Sequence, residues 1–264
     1  MTAPDEELAF RELIASGHQL MQHVSHDAAL RVYETALQLA PTDDSKAEAA
    51  QMVCVQYRSL GPLAKAVEYG ERALTYLGDS DNIELRIDIE RDYAMSCHKL
   101  MLWQMLYDGG LTEDPDTPPT YPDLQDEAEI YFEGALSLAE HNAPRAQLLV
   151  TQGAFGHFLF DIGTYDNLQH NAAQRRKLRR DGRKLLHDAV AGLEDIGNEV
   201  YELNMRLRLM RVSNPFRRLL MLERGLQLTS QHSASSAARR KVLSSLAGNR
   251  LVNRVELRRI GTEL

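Results

Sequence analysis

Apolar side chains recur at intervals of three and four residues along nearly the whole chain, which is the spacing of one face of an α-helix. Helix stop and start signals interrupt this pattern roughly every 15 to 20 residues. The pattern predicts about eleven helices and no strands. We therefore expect an all-α protein in which successive helices form antiparallel pairs.

The clearest predicted junction lies in the segment "SLGPLAKAVEY". Gly61 can adopt the left-handed conformation that ends a helix, and Pro62 suits the first turn of the next helix. Asn214 before Pro215 has the same form, with Asn214 as the expected N-cap. These signals predict sharp turns between well-separated helices.

Two pairs of predicted helices share a residue pattern at an offset of 37 residues. The first pair carries Leu13, Ser16, Gly17 and Leu20, followed by Ala29, Tyr33, Ala36 and Pro41. The second pair carries Ala50, Val53, Cys54 and Tyr57, followed by Ala66, Gly70, Ala73 and Gly78. A later helix repeats the second half of the pattern as Ala128, Phe132 and Ala135. The chain is therefore predicted to contain internal structural repeats.

This pattern resembles the tetratricopeptide repeat, in which small residues mark helix crossings, an aromatic residue fills the gap between them, and a proline ends the unit. Leu13 and Leu20 stand where the family prefers tryptophan and tyrosine. The offset also exceeds the usual repeat of about 34 residues, and we expect the extra residues in the loop "TDDSK", residues 42–46.

The resemblance implies a single domain over residues 1–264, folded as a right-handed α-solenoid of antiparallel helix pairs. The best repeats span residues 10–43 and 47–80. A C-terminal helix over residues 233–262, with one polar face, is expected to cap the array.

Two insertions interrupt the repeats. Residues 107–123 contain four prolines, two glycines and five acidic residues, so we expect a long loop between two helices of one unit. This loop could be a docking segment or a solvated surface loop. The second insertion, residues 170–184, is basic and is expected to extend a helix at its N-terminal end.

Charge is distributed unevenly over the chain. The formal net charge is −8, but residues 1–140 hold 27 acidic and 9 basic residues, a net −18, which leaves +10 for residues 141–264.

The two cysteines, Cys54 and Cys97, lie in apolar helical patterns and are expected to be buried free thiols. No signal peptide or membrane-spanning segment is evident, so we expect a cytoplasmic protein.

Motifs for catalysis or cofactor binding are absent from the sequence. It contains no glycine-rich phosphate loop, no nucleophile elbow and no paired metal-ligand spacing. Three histidines cluster as His18, His23 and His26, without the helical ligand spacing of a metal site. We therefore expect no enzyme activity, no cofactor and no metal.

Residues 175–184 carry seven basic residues and one acidic residue. On a helix, these cations should spread around most of the circumference instead of forming one stripe. They could bind an acidic protein, bind nucleic acid, or form a solvated helix face. Nucleic acid is the less favoured partner because no aromatic residues accompany the cations and the whole chain is acidic. The predicted basic patch consists of Arg175, Arg176, Lys177, Arg179, Arg180, Arg183 and Lys184.

The resemblance also implies a concave groove, lined by the first helix of each pair, that holds a peptide or partner helix. The groove-facing positions would be Ile14, His18, Met21, Gln51, Val55, Arg58 and His157. Each could equally be ordinary helix surface. Because Ile14 and His18 replace residues that related proteins use to clamp a terminal carboxylate, we expect an apolar or helical ligand.

The sequence thus predicts a non-enzymatic scaffold or adaptor that binds another protein or a peptide. The alternative is a nucleic-acid-associated or regulatory protein that uses residues 175–184. Self-association between the acidic first half and the basic second half is a further expectation.

Overall fold

A computed structural model of the chain describes residues 3–22, 25–107, 121–165 and 170–213. Every regular element in these ranges is an α-helix, which confirms the predicted all-α class for this part of the chain. The chain divides into two compact units, Met1–Pro144 and Arg145–Leu264, and each is described by itself.

The described part of the first unit contains six helices. They are α1 (Ala3–Gln22), α2 (His26–Leu39), α3 (Asp43–Leu60), α4 (Leu63–Leu77), α5 (Ile83–Tyr107) and α6 (Tyr121–Asn142). Each helix packs against the next, and α3 also packs against α5. Phe10 and Ile14 of α1 share a core cluster with Ala49 and Val53 of α3. The first helices of successive pairs therefore contact one another, as stacked helical pairs require.

The repeated small and aromatic residues lie where the helices of the first unit cross. Ala29, Tyr33 and Ala36 of α2 are fully buried. A Cβ atom on Gly17 of α1 would lie 2.4 Å from Cε1 of Tyr33, so the ring occupies the space that the glycine leaves. Small residues at these positions let the two helices approach closely.

The second pair of helices, α3 and α4, also has a close crossing, but the aromatic ring that fills it belongs to the following helix, α5. Gly70 of α4 stands where α2 has Tyr33, and a Cβ atom there would lie 2.6 Å from Cδ2 of Tyr93 in α5. Ala66 and Ala73 on either side of Gly70 are fully buried. In the first pair the ring that fills the crossing is Tyr33 of α2, whereas in the second pair it is Tyr93 of α5. Both pairs have a close crossing between helices.

Helix ends in the first unit follow the local sequence. Gly61 has φ 118° and its N–H donates to the Tyr57 carbonyl, which confirms the predicted left-handed stop after α3. The prediction of a loop over residues 42–46 is wrong, because α3 begins at Asp43. Thr42 accepts a hydrogen bond from the Ser45 N–H at 3.1 Å and caps the helix, and acidic residues in its first turn favour the helix dipole.

The acidic, proline-rich insertion is shorter than predicted at both ends. Helix α5 continues to Tyr107, and α6 already begins at Tyr121 with Pro122 in its first turn, a position that proline tolerates. Residues 108–120 lie outside the described ranges. The predicted N-cap Asn214 and the predicted capping helix over residues 233–262 also lie outside them, so the count of about eleven helices stays a prediction.

The described part of the second unit contains three helices, α7 (Arg145–Tyr165), α8 (Ala172–Asp195) and α9 (Glu199–Val212). Helix α7 packs against both α8 and α9. Their shared core includes Leu149, Leu186, Leu193, Met205 and Leu209. The basic insertion forms the N-terminal half of α8, as its position in the sequence predicted.

Helices α7 and α8 meet at two facing glycines. A Cβ atom on Gly182 would lie 2.4 Å from the Gly156 carbonyl oxygen, and one on Gly156 would lie 2.7 Å from the Gly182 carbonyl oxygen. The backbones therefore touch at this crossing, and the absence of a Cβ atom on each glycine allows that close approach.

Among the helices of the described ranges, none combines the length and the apolar character needed to cross a membrane.

Candidate functional site

The predicted groove positions on α1 differ from one another in exposure. Ile14 is only 5% exposed and belongs to the core shared with α3. His18 is exposed, and its ring meets the edge of the Tyr33 ring with 5.9 Å between centroids. Met21 is partly buried, and its sulfur accepts hydrogen bonds from the Tyr33 hydroxyl at 3.4 Å and from Gln56 Nε2 at 3.1 Å. Ile14 therefore stabilises the fold and is not available to a ligand.

The predicted groove positions on α3 are mostly engaged with α5. Gln51 is buried, and its Nε2 donates to Asp92 Oδ2 at 2.9 Å. Arg58 donates to Asp92 Oδ1 at 2.7 Å and to the Asp92 carbonyl at 2.6 Å, and its side chain is only 12% exposed. Val55 between them is partly buried. Gln51 and Arg58 thus join two helices of the first unit instead of lining an open surface.

Asp92 is the centre of this buried polar network. Burial by itself raises the pKa of its carboxyl group, but the charges of Arg58 and Arg91 and the hydrogen bonds from Arg58 and Gln51 outweigh that effect. The pKa of Asp92 is lowered from its ordinary value of 3.8 to about 2. The carboxylate is therefore ionised at neutral pH and stabilises the contact between α3 and α5.

His157, the last predicted groove position, lies on α7 in the second unit. Its Nε2 is 3.6 Å from a carboxylate oxygen of Asp161, one turn along the same helix, and both side chains are nearly buried. Like Gln51 and Arg58, it is occupied by a contact within its own unit.

The two cysteines are buried free thiols, as predicted. Burial raises the pKa of the Cys54 thiol to about 11, and its sulfur lies 3.2 Å from the Ser96 hydroxyl. Burial also raises the pKa of Cys97. Neither thiol is activated as a nucleophile at neutral pH, because the thiolate is the reactive form.

The histidine cluster predicted from the sequence is only partly described. His26 begins α2 and its Nδ1 lies 3.0 Å from Gln56 Oε1, while His18 contacts Tyr33 as described above. His23 lies outside the described ranges. Neither described histidine is positioned by a carboxylate in the manner of a metal ligand.

An open basic depression with a volume of about 280 Å³ lies on α8. It is lined by Arg176, Arg179, Arg180, Arg183, Lys184 and His187, which we call the basic face. These positions are separated by steps of three and four residues, so they share one side of the helix. The prediction that the cations would not form one stripe is therefore wrong for five of the seven predicted basic residues.

The other two predicted basic residues flank this face. Arg175 is partly buried at the contact with α7, where its carbonyl oxygen would lie 2.7 Å from a Cβ atom on Gly163. Lys177 is exposed on the opposite flank. His187 was missed by sequence reasoning because it lies after the dense run, although its spacing of three residues from Lys184 carried the signal.

The backbone of α8 is held firmly behind the basic face. Asn171 caps the helix by accepting hydrogen bonds from the N–H groups of Ala173 and Gln174, and the Gln174 side chain accepts from the Asn171 N–H in return. This capping box fixes the first turn. Further along, the close contact of Gly182 with Gly156 fixes the helix against α7. The basic face is thus presented by a rigid element.

One arginine of the basic face is also oriented by an aromatic ring. The guanidinium carbon of Arg183 lies 5.4 Å from the centroid of the Phe160 ring on α7. Its Nε is buried and has no hydrogen-bond partner in the described ranges. A cation–π contact restricts the side chain without neutralising its charge, so Arg183 can still attract an anion.

Acidic side chains neutralise little of the basic face. Arg180 Nε lies 3.1 Å from Asp181, and this pair is exposed to solvent. Within the described ranges, no carboxylate forms an ion pair with Arg176, Arg179, Arg183 or Lys184. Arginine presents a planar fork of donors that matches a carboxylate or phosphate. The arrangement can therefore bind an anionic group.

Comparison with known proteins supplies no family for this chain. No protein-family model matches it, and no curated protein matches it either. The resemblance to tetratricopeptide repeats therefore stays a prediction from the quoted residues.

Proposed function

We propose that the protein is a non-enzymatic scaffold or adaptor that binds an acidic segment of another protein through the basic face of α8. The supporting observation is the convergence of four arginines, Lys184 and His187 on one side of a rigid helix, with a carboxylate beside only one of them in the described ranges. A face of this kind attracts an acidic partner over several ångströms and orients it on approach.

The packing of the first unit supports a scaffold role. Its helices stack in successive pairs, and the groove positions Gln51 and Arg58 of α3 form hydrogen bonds to α5. A stacked helical array gives a stiff support for binding surfaces. In this proposal the groove positions on α3 stabilise the stacked helices, and the partner binds to the basic face of α8.

Affinity purification of the full chain tests this proposal. A charge-reversed variant, Arg176→Glu with Arg180→Glu, should lose partners that the wild-type chain retains. The control Arg31→Glu reverses an exposed arginine on α2 and should keep them. The proposal fails if the wild-type chain purifies alone, or if the reversed variant retains every partner.

Nucleic acid is a second candidate partner for the same face. The clustering of cations on one side is what neutralisation of a phosphate backbone requires, although His187 is the only ring among the described residues that line the depression. Binding to a generic oligonucleotide at about 50 mM and about 200 mM salt tests this candidate, because counterion release makes such binding strongly salt-dependent. An absence of binding at the lower salt concentration would eliminate it.

A further inference from the structure

The first unit carries a surface whose charge and spacing complement the basic face. Along the outer side of α6, the exposed residues include Asp123, Asp126, Ile130, Glu133, Ser137 and Glu140, which we call the acidic face. Two further exposed residues, His141 and Asn142, end the helix. The opposite side of α6 is buried through Leu124, Ala128, Phe132 and Ala135. The amphipathic pattern of α6 therefore directs four carboxylates to solvent.

The charged groups on the two faces have matching intervals. Asp126, Glu133 and Glu140 follow one another at seven residues, or about 10.5 Å along the axis of a helix. Arg176 and Arg183 of α8 have the same interval, and Arg180 lies between them. Two helices laid side by side with Arg176 opposite Asp126 would therefore also place Arg183 opposite Glu133.

An apolar side chain lies within the acidic face. Ile130 is 65% exposed and is the most exposed large hydrophobic residue in the described ranges. The aliphatic stems of arginine and lysine can cover such a side chain while their charged ends remain solvated. Burial of Ile130 would add apolar contact to the electrostatic attraction.

From this complementarity we infer that the basic face of one molecule binds the acidic face of α6 on a second copy. The inference rests on the proposed function and names its partner. Because the two faces differ, the contact is head-to-tail and leaves one free face on each terminal molecule, so association continues into open chains or closes into a ring. Each exposed ion pair contributes little on its own, so the contact depends on several pairs together and weakens with salt.

Light scattering of the full chain over a range of concentrations tests the inference. At low ionic strength the average mass of the wild-type chain should rise with concentration, and a change from about 50 to about 200 mM salt should weaken association several-fold. A reversed acidic face, Asp126→Lys with Glu133→Lys, should abolish the rise, as should the reversed basic face, Arg176→Glu with Arg180→Glu. The control Glu12→Lys with Glu68→Lys makes the same change in net charge at exposed positions outside both faces and should associate like the wild type.

An equimolar mixture of the two reversed variants gives the sharpest result. Each variant alone keeps only one native face, so it cannot form the native contact with itself. In the mixture, the native basic face of one variant can meet the native acidic face of the other. Association that returns only in the mixture supports the inference. A wild-type chain that stays monomeric, or a variant with a reversed acidic face that associates like the wild type, overturns it.

A poly-glutamate peptide separates failure of this inference from failure of the proposed function. If the wild-type chain stays monomeric but its basic face binds the peptide, the second copy is the wrong partner and the face still binds an acidic segment. If the chain neither associates nor binds the peptide, both proposals fail.

Discussion

Single residues in this chain are committed to packing at the crossings between helices. Gly17 lies against the buried Tyr33 ring, and Asp92 holds two helices of the first unit together through Arg58 and Gln51. The small and aromatic residues of the repeated pattern therefore mark positions where helices contact one another. Changes at these residues should affect stability before they affect binding.

Substitution of Gly17 by alanine should destabilise the first unit. A Cβ atom there would lie 2.4 Å from a ring that is itself fully buried, so the ring cannot move away freely. Overpacking costs about 1 to 3 kcal/mol, which exceeds the gain of up to about 1 kcal/mol from the higher helix propensity of alanine. Thermal and urea unfolding should show a net loss, whereas Ser16→Ala at the exposed neighbouring position should be nearly neutral. Equal stability of Gly17→Ala and wild type would contradict the packing account.

Substitution of Asp92 by asparagine should be more damaging. The change removes the charge that compensates Arg58 in a nearly buried site, and loss of one partner of a buried pair costs about 3 to 5 kcal/mol. The matched control is Glu7→Gln, which removes the charge from an exposed pair with Arg11 and should cost less than about 1 kcal/mol. Urea unfolding at neutral pH measures the free energy of unfolding of both variants. Similar decreases for the two variants would argue against a buried network around Asp92.

The lowered pKa of Asp92 also predicts a pH dependence. A carboxyl group whose pKa falls on folding stabilises the folded state above its unfolded pKa, and that contribution is lost as pH falls from 3.8 towards about 2. The free energy of unfolding of the wild type should therefore fall over this range. The Asp92→Asn variant should lack this part of the decrease. If the free energy of unfolding fell equally steeply with pH in both proteins, Asp92 would not have a lowered pKa in the folded state.

At the scale of elements, local sequence predicted helices well because the 3.6-residue period and the capping signals act within a few residues. The stop at Gly61 and the buried stripe of α2 follow directly from them. The start of α3 was placed too late because the capping hydrogen bond to Thr42 outweighed the polar, loop-like composition of the segment.

The candidate sites were harder to predict from sequence because they depend on partners far along the chain. Gln51 and Arg58 were expected to face a ligand, but Asp92, 41 and 34 residues away, engages both. Five of the seven predicted basic residues line the basic face. Their convergence on one open face became visible only with α7 packed behind them, since that packing leaves one side of α8 exposed.

The cap of α8 should contribute measurably to the second unit. Asn171→Ala removes two hydrogen bonds from the first turn and should cost about 0.5 to 2 kcal/mol. Amide hydrogen exchange should quicken over the first turn of α8. Asn171→Asp keeps the acceptor oxygen and should preserve protection, so an aspartate variant that exchanges as fast as the alanine variant would contradict the capping role.

The crossing of α7 and α8 should tolerate no added atom. A Cβ atom on Gly182 would meet backbone atoms of Gly156 and Phe160, and backbone cannot relieve the clash by changing rotamer. Gly182→Ala should therefore lower stability by about 1 to 3 kcal/mol. Ala191→Leu adds more volume at an exposed position of the same helix and should be nearly neutral. Thermal unfolding distinguishes the two, and a stable Gly182→Ala variant would show that the helices are further apart than described.

At the scale of the whole molecule, the uneven charge distribution is the feature that connects the sequence to the proposed function. The first 140 residues sum to −18 and the remaining residues to +10, so the modest net charge of −8 hides two strongly charged segments. The structure concentrates part of the positive charge on the basic face of α8. Binding to acidic partners should therefore respond to local charge reversal far more than to the net charge of the chain.

Titration of a fluorescent poly-glutamate peptide with the full chain, followed by anisotropy, tests the central claim most directly. The wild type and the Arg31→Glu control should bind at low ionic strength, while Arg176→Glu with Arg180→Glu should weaken binding by about tenfold, or about 1.4 kcal/mol, or more. Added salt should reduce the wild-type affinity towards that of the reversed variant. An unchanged affinity in the reversed variant, or no binding by the wild type, would contradict the assignment of the basic face as the interaction surface.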